Sequence, residues 1–210
     1  MERLRFTFIN QHNLPSSINR NKTPQDQTSK RNAARNKYRT SNKMTKTLYL
    51  VRHAKASESV SPDLFRPLVP NGMIDAARMG KHLASRMQGI DLILTSNAER
   101  TQMTAQVFCE QLHIDNQKVR VEESLYESSP KHYLEAVNGL SENLDSVMIV
   151  GHNPSISYFA EYLTHEEIGS MPTCGVIGMT FENLTWAEVS KKTGHMIFYD
   201  SPDGIMGVKI

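Results

Sequence analysis

The sequence predicts a single α/β domain in three layers, a mostly parallel sheet with helices on both faces, preceded by a disordered basic tail. Three observations carry this expectation. From Thr47 onward, short apolar runs alternate with stretches of helical periodicity, the order that builds a parallel sheet through helical crossovers. Those runs are apolar throughout, as strands buried on both faces must be. Upstream, only 10 of the first 43 residues are hydrophobic, against 71 of the remaining 167. A segment so polar cannot bury enough apolar surface to offset the entropy of ordering it. The expected boundaries are a tail over 1–43 and a domain over 44–210, the size of one ordinary domain.

Each element has its own signal. Thr47–Val51 (TLYLV) reads as the first strand. Pro70 suits the first position of a helix, along which Met73, Ala77, Gly80, Leu83, Ala84 and Met87 recur at helical spacing. Val69 before it offers no capping side chain. Leu92–Leu94 with its neighbours is a second strand, and Ser96 with Glu99 makes a capping box for a helix to about Leu112. Ser129-Pro130 opens another, reaching about Leu140. Val147–Val150 (VMIV) is a third strand, and Asn153-Pro154 opens a helix with Ile156, Phe159, Ala160 and Leu163 on one face. Two strands, near Val176–Phe181 and His195–Tyr199, close the domain, with Trp186 packing beside them and Cys109 in the core.

Charge separates tail from body. Residues 1–46 hold 11 Lys and Arg against 2 Asp and Glu, and residues 47–210 hold 13 against 20. An acidic body is a poor nucleic-acid binder, so no nucleic-acid partner is expected. The tail has three readings: an organelle-targeting segment, a tether for nucleic acid or membrane, or residues upstream of a true start at Met44. The third is preferred because Met44-Thr45-Lys46 leads straight into the first strand. Two cysteines build neither a disulfide framework nor a four-ligand zinc site, and they fit a reducing, cytoplasmic compartment. No stretch approaches the ~18 apolar residues of a membrane span, so no membrane partner is expected.

The polar residues that follow the strands carry the chemistry. The first strand runs into Arg52-His53-Ala54-Lys55, the second into Thr95-Ser96 and a helix holding Arg100, and the third into Gly151-His152-Asn153-Pro154. Carboxyl ends of parallel strands are where open α/β sheets place ligands. Two of the three clusters open a helix, whose free N–H groups attract anions. Two arginines, two histidines and two helix starts in one crevice describe a phosphate site. No carboxylate accompanies them in sequence, so no metal is expected.

Four blocks in order resemble the histidine phosphatase superfamily, the phosphoglycerate mutase-like fold. Leu48-Tyr49-Leu50-Val51-Arg52-His53-Ala54 resembles its Arg-His-Gly signature. Arg66-Pro67-Leu68 with Gly72, then Thr95-Ser96-Asn97-Ala98-Glu99-Arg100-Thr101 with Thr104-Ala105, resemble its next two blocks. Val150-Gly151-His152-Asn153-Pro154 resembles the block of its second histidine. The resemblance spans Met44–Ile210, and the Arg-His-Ala-Lys start and Arg-Pro-Leu element look most like the SixA branch of phosphohistidine phosphatases. Three departures stand out. Ala54 replaces the signature glycine, Met103 stands before Thr104 where many relatives have Gln, and the family's proton-donating Glu has no clear counterpart, Glu127 and His132 being nearest.

The resemblance implies that His53 is the nucleophile and that Arg52, Arg100 and His152 surround the phosphoryl group, without cofactor or metal. Arg66 and Asn153 are candidate substrate contacts. The alternatives are a surface ion pair for Arg66 and helix capping for Asn153. A site without a placed acid favours P–N over P–O cleavage, because a departing alkoxide needs a general acid worth ~10²–10⁴-fold. Only 51 residues lie between Arg100 and His152, too few for a large lid, which suits a histidine on another folded protein. The expected activity is a metal-independent phosphatase acting through a phosphohistidine intermediate on a phosphorylated protein. A small-molecule phosphomonoesterase and a non-catalytic phosphate-binding adaptor are the alternatives.

Overall fold

Alternation along the first strand explains the layers. In β1 (Thr45–Arg52), Leu48 and Leu50 face one core and Tyr49 and Val51 the other, all buried. Five more strands complete the sheet: β2 (Leu92–Thr95), β3 (Val119–Val121), β4 (Ser146–Gly151), β5 (Val176–Glu182) and β6 (His195–Asp200), in the order β3-β2-β4-β1-β5-β6. β1, β2, β3 and β4 run parallel, whereas β5 is antiparallel to β1 and β6 to β5. The computed structural model describes residues 44–206 apart from residue 88, so the tail expected over 1–43 lies outside the described residues.

Helices cover both faces. α1 (Pro70–Leu83) and α2 (Glu99–Leu112) pack on the Tyr49–Val51 side. α3 (Pro130–Asn138) and α4 (Ser155–Leu163) pack on the Leu48–Leu50 side, and α5 (Pro202–Met206) rests against α1. Trp186 is buried on the α3–α4 side, its ring edge-on to Phe181 and its Nε1 donating to the Leu144 carbonyl at 2.7 Å.

Three local expectations are corrected. α1 is rotated from the face read off its periodicity: Gly72, Ala76, Met79, Gly80 and Leu83 are buried, and Met73 is 39% exposed. The glycine fixes that rotation, since a Cβ on Gly72 would lie 2.1 Å from the Lys55 carbonyl oxygen. The capping box expected at Ser96 and Glu99 is absent. α2 starts with Ala98 at its cap and no side-chain cap bond, because the Ser96 hydroxyl is engaged elsewhere. The box forms instead at α3, where Ser129 and His132 exchange bonds. β3, a three-residue edge strand with Arg120 at its centre, was not anticipated.

Candidate active site

The site lies at the carboxyl ends of β1 and β4, whose final residues Arg52 and Gly151 are register partners. The backbone of His53 is strapped on both sides: its N–H donates to the Gly151 carbonyl at 3.0 Å, and its carbonyl accepts from Cys174 N–H at 3.1 Å. Thr104 pins the next residue from α2, its hydroxyl accepting the Ala54 N–H at 3.0 Å and donating to the Arg100 carbonyl at 2.7 Å. A helix residue thus ties the nucleophile candidate's loop to the turn that carries Arg100.

The ring of His53 has a defined orientation. Nδ1 lies 2.8 Å from the Ala54 carbonyl, an acceptor only, so Nδ1 carries the proton and Nε2 keeps its lone pair. Burial, with the nearby charges of Arg100, Arg52 and Arg66, lowers the imidazole pKa to about 4, against the opposing Ala54 bond. His152 stands across from it, ring centroids 5.3 Å apart. Its Nε2 donates to Ser96 Oγ at 2.7 Å, and its Nδ1 faces Arg100 Nη2 at 3.4 Å. Ser96 Oγ also accepts the Ala98 N–H at 3.2 Å and lies 2.8 Å from Thr101 Oγ1, which donates to the Ala98 carbonyl. Every hydroxyl proton in that chain has an acceptor. Burial first, then His53 and Arg100, hold His152 at a pKa of about 3. The ring is therefore neutral in the unliganded protein. A phosphoryl dianion beside Nδ1 would raise its proton affinity.

Tyr133, fully buried in α3, sets where His152 sits. Its hydroxyl accepts the His152 N–H at 3.0 Å, and its ring fills the space a side chain at Gly151 would need, a Cβ there lying 1.9 Å from the hydroxyl oxygen.

The arginines are held by one edge. Arg52 Nη1 donates to the Met171 carbonyl at 2.6 Å. Arg100 Nη1 donates to the main-chain oxygen of Asp63 and its Nη2 to Asp63 Oδ2, both at 2.9 Å. The Nε of each is buried with no hydrogen-bond partner among the described residues. Arg66 donates from Nη1 to Asp63 Oδ1 at 2.8 Å and from Nε to the Ser57 carbonyl. Arg66 thus makes the ion pair with a carboxylate and also lines the cleft. Asn153 also lines the cleft. Its Nδ2 donates to the Met171 carbonyl and Ser170 Oγ, and its Oδ1 accepts from Ser157 Oγ, tying the start of α4 to the 170–171 segment.

The cleft encloses about 470 Å³ and gathers Arg52, Lys55, Arg66 and Arg100 around the two histidines, with Glu58, Asn153 and Thr173 on its walls. A larger cavity of about 630 Å³ is lined by Phe65, Gln102, Met103 and Gln106, without convergent cations. Two expectations change here. Carboxylates do accompany the site: Glu58 lines it, and Asp63 reaches Arg100 and Arg66 and accepts from the Tyr126 hydroxyl at 2.9 Å. The Arg66 bond above all, then Tyr126 and Arg100, hold the Asp63 carboxyl at about 2, so it is ionised. Neither acid candidate from the sequence stands on the cleft wall; His132 caps α3 through Nδ1, and Glu127 is exposed with φ 47°. Sequence reading missed Asp63, Tyr126 and Tyr133. A carboxylate three residues before Arg66 was the one available signal.

Similarity to known proteins bears on the family and the fold. The profile of the histidine phosphatase superfamily (branch 1) matches residues 48–136. An uncharacterized protein of Mycobacterium leprae is 31% identical over 120 residues, 54% of this chain and 71% of that one. Another, from Mycobacterium tuberculosis, is 27% identical over 164 residues, 72% of this chain and 99% of that one. Among solved structures, SixA from Nakamurella multipartitia superposes with a TM-score of 0.68 at 24% identity, covering 75% of this chain and 96% of that one. The protein histidine phosphatase SixA complexed with tungstate superposes at 0.67 and 20%, covering 76% and 99%. With its four blocks in order on this sheet, the chain belongs to the histidine phosphatase superfamily, and it shares its fold with the SixA structures.

Proposed function

We propose that this chain removes a phosphoryl group from a histidine of another protein, through a phosphohistidine formed on His53. The observation that carries the reading is the His53 ring itself. With Nδ1–H given to the Ala54 carbonyl and the pKa near 4, the Nε2 lone pair is available to phosphorus throughout the neutral range. Nε2 forms a bond to phosphorus as the bond to the substrate's ring nitrogen breaks, and the electron pair leaves with the substrate imidazole. The charge on the three equatorial oxygens meets Arg52, Arg100 and the His152 ring, so the step needs positioning and positive charge more than covalent help. Water then attacks the phosphorus, the Nε2–P bond breaks toward His53, and phosphate is released. Arg66 and Asn153 complete the walls that hold the substrate. These side chains supply the charge a metal would otherwise provide, and the reading needs no cofactor.

The carboxylates bear on the substrate. Asp63 is ionised and has no proton to give at neutral pH. A phosphohistidine protonated on its second ring nitrogen departs as neutral imidazole and needs none, whereas an alcohol departs as alkoxide and does. A small phosphate ester is the second reading, with Glu58 the carboxylate on the cleft wall that it would draw on. Rates on a phosphohistidine protein, on p-nitrophenyl phosphate and on sugar and glycerate phosphates decide between them. The proposal expects the highest kcat/KM on the phosphoprotein. Equal or greater efficiency on the small esters replaces it with the second reading, and phosphate binding without turnover of any substrate replaces it with an adaptor role.

A further inference from the structure

We infer that Asp63 is a positioning residue that selects which edge of Arg100 meets the phosphoryl group, an inference that rests on the phosphatase reading above. A guanidinium offers two forks of parallel N–H groups, one from Nη1 and Nη2, the other from Nε and Nη2. Asp63 occupies the first fork completely, taking Nη1 on its main-chain oxygen and Nη2 on Oδ2, each at 2.9 Å. On the second fork Nη2 makes only a long contact of 3.4 Å to His152 Nδ1 and Nε has no partner among the described residues, so this is the edge an oxyanion can take. Arg52 repeats the arrangement with a different clamp, Nη1 on the Met171 carbonyl and Nε likewise unpartnered. Both arginines thus spend Nη1 on the protein and keep Nε uncommitted.

Asp63 is itself held by bonds rather than by burial. Its side chain is 47% exposed, yet Oδ1 accepts from Arg66 and Oδ2 from the Tyr126 hydroxyl as well as from Arg100. The Tyr126 ring stands edge-on to His152 with centroids 5.7 Å apart, and the Arg100 guanidinium lies over its face at 6.0 Å. The short turn Asp63–Phe65 therefore links Arg100, Arg66 and, through Tyr126, the second histidine. Its negative charge also offsets part of the cationic cleft. Removing it should misalign Arg100 for the transition state while strengthening the attraction for ground-state phosphate.

The test compares full-length wild type, Asp63→Ala and Asp63→Asn in kcat and KM on p-nitrophenyl phosphate, Ki for inorganic phosphate, and melting temperature. Asp63→Ala is expected to lower kcat by about 10–100-fold, short of the loss of a whole oxyanion donor, with Ki for phosphate unchanged or lower. Asp63→Asn keeps an acceptor oxygen for Arg100 and is expected to regain part of kcat; it carries the test should the alanine variant melt too early. Wild-type kcat in both variants overturns the inference. So does a kcat and phosphate affinity that worsen by one factor as the melting temperature drops, which marks a structural role alone. Absence of both turnover and phosphate binding in the wild type would overturn the phosphatase reading and this inference together, an outcome distinct from a fault in the variants only.

Discussion

His53 and His152 stand at the ends of neighbouring parallel strands with ring centroids 5.3 Å apart, and the protein holds them in opposite ways. The His53 backbone is fixed by Gly151 and Cys174, and its ring spends a single nitrogen on the adjacent carbonyl. His152 is fixed through its ring, with Ser96 on Nε2 and Arg100 at Nδ1, over a backbone N–H seated on Tyr133. One ring keeps a reactive nitrogen uncommitted, and the other is aimed by contacts at both nitrogens. Burial lowers both pKa values, yet it serves different ends: it keeps the first ring nucleophilic and the second uncharged until an anion arrives.

The largest effect separating them is loss of His53. His53→Ala is expected to abolish turnover, by at least about 10⁴-fold as for other nucleophile deletions, while leaving the melting temperature near wild type. Retained turnover would make the two rings equivalent and break the contrast. Gly151→Ala attacks the second ring from beneath. A Cβ 1.9 Å from the Tyr133 hydroxyl, against a fully buried ring, forces overpacking of about 1–3 kcal/mol. Chemical denaturation should report that loss and kinetics a lowered kcat. Ser96→Ala is milder. It leaves His152 Nε2–H without its acceptor, and a buried unsatisfied donor costs about 1–3 kcal/mol. A variant with unchanged stability and kcat would show that the hydroxyl does not aim the ring.

Acidity tests the shared property. In the unfolded chain each imidazole has a pKa of ~6.5, whereas the folded values are about 4 and about 3. Protons therefore bind the unfolded chain first. The stability these rings contribute is fully present above pH 6.5 and is lost as pH falls toward those folded values. Denaturation midpoints of wild type should fall over that range more steeply than those of a variant lacking both histidines. The acid limb of kcat/KM should lie well below pH 6.5, because that limb reports the free protein. The smallest effect is expected from deleting residues 1–43, whose polar composition offers little apolar surface. Melting temperature and turnover should stay within error of full length.

What the sequence disclosed followed the distance over which each signal acts. β1 and β4 were legible because burial on both faces demands unbroken apolar runs, and Arg52, His53 and His152 were legible because they directly follow them. Arg100 came from its block and first-turn position. Rotation of α1 was hidden, since it depends on Gly72 meeting the Lys55 backbone, a tertiary contact that outweighed the methionine spacing. Ser96 read as a cap because local chemistry permits that bond, and His152, 56 residues away, took the hydroxyl instead. The reach of Asp63 to Arg100 was hidden for the same reason: its spacing to Arg66 was in view, but no local rule brings a carboxylate to an arginine 37 residues downstream.

The most direct measurement is the site of the covalent intermediate. Full-length protein is quenched in base during turnover of a radiolabelled phosphohistidine protein, and the labelled residue and its ring nitrogen are identified by mass spectrometry and phosphorus NMR. With Nδ1 committed to the Ala54 carbonyl, the result predicted is an acid-labile phosphoryl group on Nε2 of His53. Label on Nδ1, on His152 or on any other residue, or full turnover with no phosphorylated protein formed, would contradict it.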